Sequence, residues 1–140
     1  MKGVTFGSYH SYGTWGLWLK EAPEISPPEP QTYFVEIPGM NGSLDLTEKL
    51  SGGVRYKDRE IKMTFLSLVD RNQWPGIYSD MMEKLHGKSM RITMDDDPGF
   101  YYLGRIMFDS VKQDNRVTIV VIKAKVGPFK FSIDGKVKKL

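Results

Sequence analysis

The sequence predicts a mainly β (α+β) fold, an antiparallel β-sandwich or barrel with one helix packed on it. Three observations predict it. Along Arg59 to Leu68, Ile61, Met63 and Phe65 alternate with Lys62 and Thr64, a period of two that marks a strand with one buried face. Turn signatures such as Asn41-Gly42, Asp97-Pro98-Gly99 and Asp134-Gly135 separate short apolar runs. Only Trp74, Ile77, Tyr78, Met81 and Leu85 recur at helical steps of three and four.

Taken in order, residues 3–19 are rich in Gly, Ser and aromatics. Gly7, Gly13 and Gly16 argue against a helix there, so short strands joined by turns are expected. Lys20 to Gln31 holds Pro23, Pro27, Pro28 and Pro30, which fix φ and remove donors, giving an extended surface loop. Thr32 to Ile37 reads as a strand with Tyr33, Val35 and Ile37 on one face, ended by Pro38-Gly39. Leu44 to Leu46, then Val54 to Tyr56 after Gly52-Gly53, give two short segments. The longest strand is expected at Arg59 to Leu68.

The helix begins with Asn72 as its cap, tolerates Pro75 in its first turn and stops at Gly87. His86 beside that stop suits the negative end of the helix dipole. Met90 to Met94 and Phe100 to Phe108 flank a type II turn at Asp97-Pro98-Gly99. Val117 to Ala124 is a β-branched run expected to be buried on both faces, and Phe129 to Ile133 alternates. The count is nine or ten strands and one helix.

At 140 residues the chain is one domain, taken as residues 1–133, with residues 134–140 as a basic C-terminal tail. The absence of cysteine removes disulfides, thiolate catalysis and Cys-based metal sites, and two histidines leave little for a His-based one. The net charge of +3 is too small to imply nucleic acid. Six lysines against Asp134 from Lys123 onward give that segment +5, which reads as a solvated tail or edge strand before it reads as an anion site. No apolar run approaches the roughly 20 residues of a membrane span. The first residues lack the apolar stretch of a secretion signal, so a soluble protein retained in the cell that makes it is expected.

The chemically suggestive residues mostly fail on geometry. Asp95, Asp96 and Asp97 are a candidate cation site, but neighbours on a strand point to opposite faces and no glycine-spaced loop surrounds them. Gly87-Lys88-Ser89 resembles the end of a phosphate loop, yet Met82 stands where the earlier glycine belongs and the helix ends there. Ser8 and His10 share a strand face without an elbow motif to make a nucleophile. No enzyme, cofactor or metal is expected. Tyr101, Tyr102 and Arg105 with Tyr56, Lys57 and Arg59 form the alternative: an aromatic and basic platform for sugar or nucleic acid. Against it, aromatics commonly fill a core while basic stems lie along it. Eight methionines are compatible with a self-associating surface.

Several segments together resemble the N-terminal domain of the phage distal tail protein family of siphovirus baseplates. They are Val4-Thr5-Phe6-Gly7-Ser8-Tyr9-His10-Ser11 with Trp15-Gly16-Leu17, and Ile37-Pro38-Gly39-Met40-Asn41-Gly42-Ser43-Leu44-Asp45-Leu46-Thr47-Glu48. Val54-Arg55-Tyr56-Lys57-Asp58-Arg59, Leu85-His86-Gly87-Lys88, Asp96 through Arg105 and Pro128-Phe129-Lys130 follow in order. The resemblance implies a tail-tube-like β-sandwich with a helix and a projecting hairpin, assembled as a hexameric ring. It implies a structural hub in the virion tail, made in the host bacterial cytoplasm. Its partners would be the tail-tube protein, the tail-tip protein and receptor-binding proteins, with DNA only passing through and no membrane contact. Asp45 with Arg59, or Asp97 with Arg105, then read as ion pairs fixing turns. Ring contacts are expected from the Pro-rich loop and the hairpin around Asp96 to Tyr101, namely Pro27, Pro28, Asp96, Asp97, Phe100 and Tyr101.

Overall fold

The structure is a computed structural model that describes residues 2–140. The chain opens with β1 (Val4–Phe6), β2 (Tyr9–His10), α1 (Ser11–Trp15), β3 (Trp18–Leu19), β4 (Glu24–Ile25) and β5 (Pro30–Gln31). β6 (Phe34–Glu36), β7 (Ser43–Asp45), α2 (Thr47–Ser51), β8 (Arg55–Tyr56) and β9 (Arg59–Ser67) follow. After α3 (Trp74–Leu85) come β10 (Ser89–Met94), β11 (Phe100–Asp114), β12 (Val117–Val126), β13 (Lys130–Ser132) and β14 (Lys138–Lys139). The mainly β, antiparallel fold with a packed helix is the one expected. Its strands are more numerous, β11 and β12 run further than expected, and β11, not β9, is the longest.

The main sheet runs β2-β1-β10-β11-β12-β9-β3, with β4 on β9, β13 on β11 and β14 on β13. Flat strands about 4.8 Å apart would hold β1 and β9 about 19 Å from each other. Instead the Phe6 and Phe65 rings meet with centroids 6.2 Å apart, and the Leu19 amide donates to the Lys2 carbonyl at 2.9 Å. The sheet has therefore curled until its limbs face each other as layers of a sandwich. Val4, Phe6, Ile61, Met63, Phe65, Ile92, Ile106, Val120 and Ile122 fill the space between them and are fully buried.

The alternation in Arg59 to Ser67 holds residue by residue, with Ile61, Met63 and Phe65 inside and Lys62 and Thr64 half-buried. β12 alternates too, where burial on both faces was expected. Thr118, Val120, Ile122 and Ala124 face the core, while Val117, Ile119 and Val121 are only half-buried. The turn between β10 and β11 closes from the Phe100 amide to the Asp97 carbonyl at 3.3 Å. Gly99 is absent from the left-handed region that a type II turn demands at that position, so the turn is of another type.

Two helices appear where none was expected. α1 forms although Gly13 lies inside it, because the His10 imidazole accepts from the Tyr12 and Gly13 amides and Gly16 closes the other end at φ 71°. Trp15 on α1 donates from Nε1 to Asp80 on α3 at 2.9 Å. That bond, with a lesser contribution from Lys84, holds the Asp80 carboxyl below its usual value. α2 is a single turn closed by Gly52 in the left-handed conformation.

α3 carries the expected stripe onto the sheet: Trp74, Met81 and Leu85 are buried, and Ile77 and Tyr78 pack beside them. Its cap differs from expectation. Gln73, not Asn72, is the N-cap residue and makes no side-chain capping bond. Instead the Asp70 carbonyl accepts from the Gln73 and Trp74 amides. His86 closes the helix, but its Nδ1 accepts from the Phe108 amide at 3.1 Å, an acceptor role available only while Nδ1 is unprotonated.

Two substitutions test this packing. Leu85→Ala leaves a cavity at a fully buried site and should lower stability by about 2–5 kcal/mol in a chemical denaturation curve. Gly104 lies where β11 approaches β12 so closely that a Cβ would sit 2.2 Å from the Lys125 carbonyl oxygen and 2.6 Å from the Val126 Cα. Both obstacles are backbone, so Gly104→Ala should cost about 1–3 kcal/mol or more, read from the same curve.

Candidate assembly surfaces

The β10–β11 turn carries three adjacent carboxylates, and each turns to a different partner. Asp95 accepts from the Gly3 amide at 2.8 Å and pairs with His10 Nε2 at 3.0 Å. Since His10 Nδ1 accepts the α1 cap bonds, both imidazole nitrogens are engaged and the ring is no base for Ser8. Asp96 pairs with Lys2 at 2.7 Å, and this hydrogen bond raises the Lys2 ammonium above its usual value. Asp97 binds Lys130 at 2.6 Å. Among the described residues no three His, Cys, Asp or Glu side chains converge as a metal site would require.

The ion pairs expected from the resemblance are replaced by others. Arg59 donates to the Ser26 and Pro128 carbonyls, not to Asp45. Arg105 reaches the Gly87 carbonyl at 2.7 Å, while Asp97 has taken Lys130. These long side chains tie loops by bonding to backbone, a use that residue spacing does not reveal.

Behind the turn lies a cavity of about 200 Å³ with a floor of Leu19, Pro23, Ile25, Met94 and Tyr102. It brings Asp96 and Asp97 next to the start of the Pro-rich segment. Pro27 and Pro28 do not line it. Phe100 has Lys130 and Lys139 over its ring at 4.9 and 5.4 Å. Tyr101 lies against Phe131 with Arg91 over it at 4.5 Å. The aromatic and basic platform is thereby divided. Tyr102 is buried under Arg59, Tyr101 sits on the β13 side, and Tyr56 packs edge-on against Phe129.

A dense group of exposed apolar side chains lies outside the residues that the sequence pattern singles out as contacts. Among the described residues no fully buried hydrophobic lies between Leu17 and Ile61, and of this span Leu19 and Ile25 alone are partly buried against the core. Within that span β6 and β7 pair only with each other and stand outside the main sheet as an arm. Of fourteen exposed large hydrophobics in the described residues, seven belong to it: Tyr33, Phe34, Ile37, Met40, Leu44, Leu50 and Val54. Tyr33, Val35 and Ile37 alternate along the expected strand, yet Tyr33 and Ile37 are exposed and only Val35 is half-buried.

The arm is nevertheless locally ordered. The Tyr33 amide donates to Thr47 Oγ1 at 2.9 Å, and the Thr47 amide and hydroxyl both donate to Asp45 Oδ1. The hydroxyl bond first, and the amide bond second, hold the Asp45 carboxyl below its usual value.

The curled antiparallel sheet, its packed helix and the outlying hairpin have a counterpart among solved structures. The chain is similar in structure to the SPP1 Dit (gp 19.1) protein, described as a paradigm of the hub adsorption apparatus in phages that infect Gram-positive bacteria. The TM-score is 0.72 at 16% identity, over 94% of this chain and 52% of that one. At that identity the likeness is one of fold, and this chain spans about half the length of SPP1 Dit. No family model matches the chain, and no curated protein matches it in sequence.

The Asp45–Thr47 bonds predict a pH response. A carboxyl whose folded value lies below the unfolded one stabilises the fold above about pH 3.9, and that contribution is lost as pH falls through the lower folded value. The Thr47 amide resonance should therefore titrate with a midpoint below about 3.9. The transition should be absent in Asp45→Ala.

Proposed function

We propose that this protein is a structural, non-catalytic hub of a phage tail tip. It assembles as a hexameric ring that joins the tail tube to the tail-tip and receptor-binding proteins. It is made in the host bacterial cytoplasm and resides in the virion tail, with DNA passing through the ring.

The observation that carries this reading is the hairpin outside the main sheet, with seven large apolar side chains exposed on a preformed arm. Apolar surface gathered in one place on a soluble domain marks an interaction site. The likeness of fold to a hub protein and the ordered sequence landmarks point to tail assembly as its setting.

Size supports a ring. A 140-residue domain has a radius of gyration of about 14 Å, too small to enclose a channel for duplex DNA. Several copies are needed, and closed cyclic symmetry requires that one patch on each copy meet a different patch on the next. The arm supplies one such patch. Pro27, Pro28, Asp96, Asp97, Phe100 and Tyr101 remain the proposed contacts towards the tail partners, with Phe100 and Tyr101 half-buried and within reach of a neighbour.

Cryo-electron microscopy of the native particle tests this, with a sixfold ring of this protein expected at the tail tip. A ring of another order, or its absence from the tail, overturns the reading. The double variant Phe34→Ser, Leu50→Ser removes apolar surface that is already exposed. It should leave the melting temperature within about 2 °C of the parent and abolish self-association in analytical ultracentrifugation.

A further inference from the structure

The outward face of β10, β11 and β12 has a composition that the fold does not explain. On β11, Tyr102 and Ile106 point into the core, so Leu103, Arg105 and Met107 point away from it, with Leu103 49% and Met107 48% exposed. Strand register places Arg91 opposite Leu103, Lys125 opposite Arg105 and Lys123 opposite Met107. Arg105 and Lys125 are thus like charges in direct cross-strand apposition, an arrangement that costs a sheet stability.

Lys123 is relieved by Glu60 at 3.9 Å and Asp109 at 3.8 Å. Lys125 has no acid within ion-pair distance among the described residues, and Arg105 reaches only the Gly87 carbonyl. On these three strands Arg91, Arg105, Lys123 and Lys125 stand against Asp109, which leaves this face at +3 with two exposed apolar side chains at its centre.

The arm is its complement. Residues 32–54 carry Glu36, Asp45 and Glu48 against Lys49, a net −2, around the largest concentration of exposed apolar side chains in the described chain. Resting on the hub reading, we propose that the arm of one copy docks on this face of the next copy. Its apolar residues cover Leu103 and Met107, and Glu36 and Glu48 meet Arg105 and Lys125. The two surfaces differ, so each copy gives an arm and receives one, the heterologous contact from which a closed ring is built. A nucleic-acid backbone would neutralise the same cations but leave Leu103 and Met107 without an apolar partner.

The chain contains no cysteine, so introduced thiols report contacts without background. Full chains bearing Leu44→Cys or Met107→Cys, mixed and treated with a short bis-maleimide, should give the Leu44–Met107 heterodimer in preference to either homodimer. They should do so well above the yield with Glu83→Cys on α3. Adding Arg105→Glu and Lys125→Glu to the Met107→Cys chain should lower that yield about tenfold. Glu36→Lys with Glu48→Lys on the arm chain should restore it. A preference for arm–arm homodimers, or a yield no higher than the Glu83→Cys control, overturns the proposal. So does duplex DNA binding that is lost in Arg105→Glu, Lys125→Glu while no heterodimer forms. Sixfold rings in the particle with an undiminished yield from the charge-reversed chain would reject this docking face and leave the hub reading standing. The absence of both ring and heterodimer would remove both.

Discussion

The register that binds β9, β12 and β11 is the constraint on which the remaining structure depends. Side chains alternate strictly across a sheet, so a slip of one residue would exchange Ile61, Met63 and Phe65 for Lys62 and Thr64 on the inner face. Gly104 resists such a slip, because only a residue without Cβ fits against the Lys125 carbonyl at that point. Further along, the register shifts between Phe108 and Ser110, where Asp109 is accommodated as an extra residue. That bulge lets Phe108 lie under Tyr78 and His86 while Val111 returns to pack against the core. The seat of α3 and the exposure of Leu103, Arg105 and Met107 both follow from this alignment.

The parts of the fold visible in the sequence are those whose pattern and burial agree within one element. β9 is legible because its apolar residues alternate and one side is covered, and α3 because its stripe recurs at helical spacing. α1 is illegible for a physical reason. Five residues containing a glycine have little helical propensity, and the bonds that rescue it come from His10, itself positioned by Asp95 from a turn distant in sequence. The same distance effect defeats pairing of charges by eye. Asp97 takes not Arg105 but Lys130, which the return of β13 beside β11 brings within 2.6 Å.

The arm is the instructive failure. Tyr33, Val35 and Ile37 carry a strand pattern, and a strand forms, with Val35 opposite Leu44. Pattern alone says that one face is to be covered, but not by which molecule. The missing signal is one of bookkeeping across the whole chain: the strands that close the sandwich already fill it, and among the described residues no buried hydrophobic comes from 32–54. A sequence reader who first allotted the core to β1, β9, β10, β11 and β12 would find residues 32–54 surplus.

That surplus is costly to a free chain, since water-exposed apolar surface forgoes roughly 25 cal/mol for each Å² that could be buried. What makes it tolerable is that the arm is not a loose tail. The Asp45–Thr47 and Tyr33–Thr47 bonds and the left-handed closure at Gly52 give it a fixed local shape. Pro23, Pro27, Pro28 and Pro30 restrict the segment that joins it to β3. Much of the entropy that the proposed docking of the arm would cost has thus been given up during folding of the single chain. Association then has mainly the translational and rotational cost to overcome. An apolar surface held in a preformed arm is better suited to a permanent assembly than the same residues on a flexible linker.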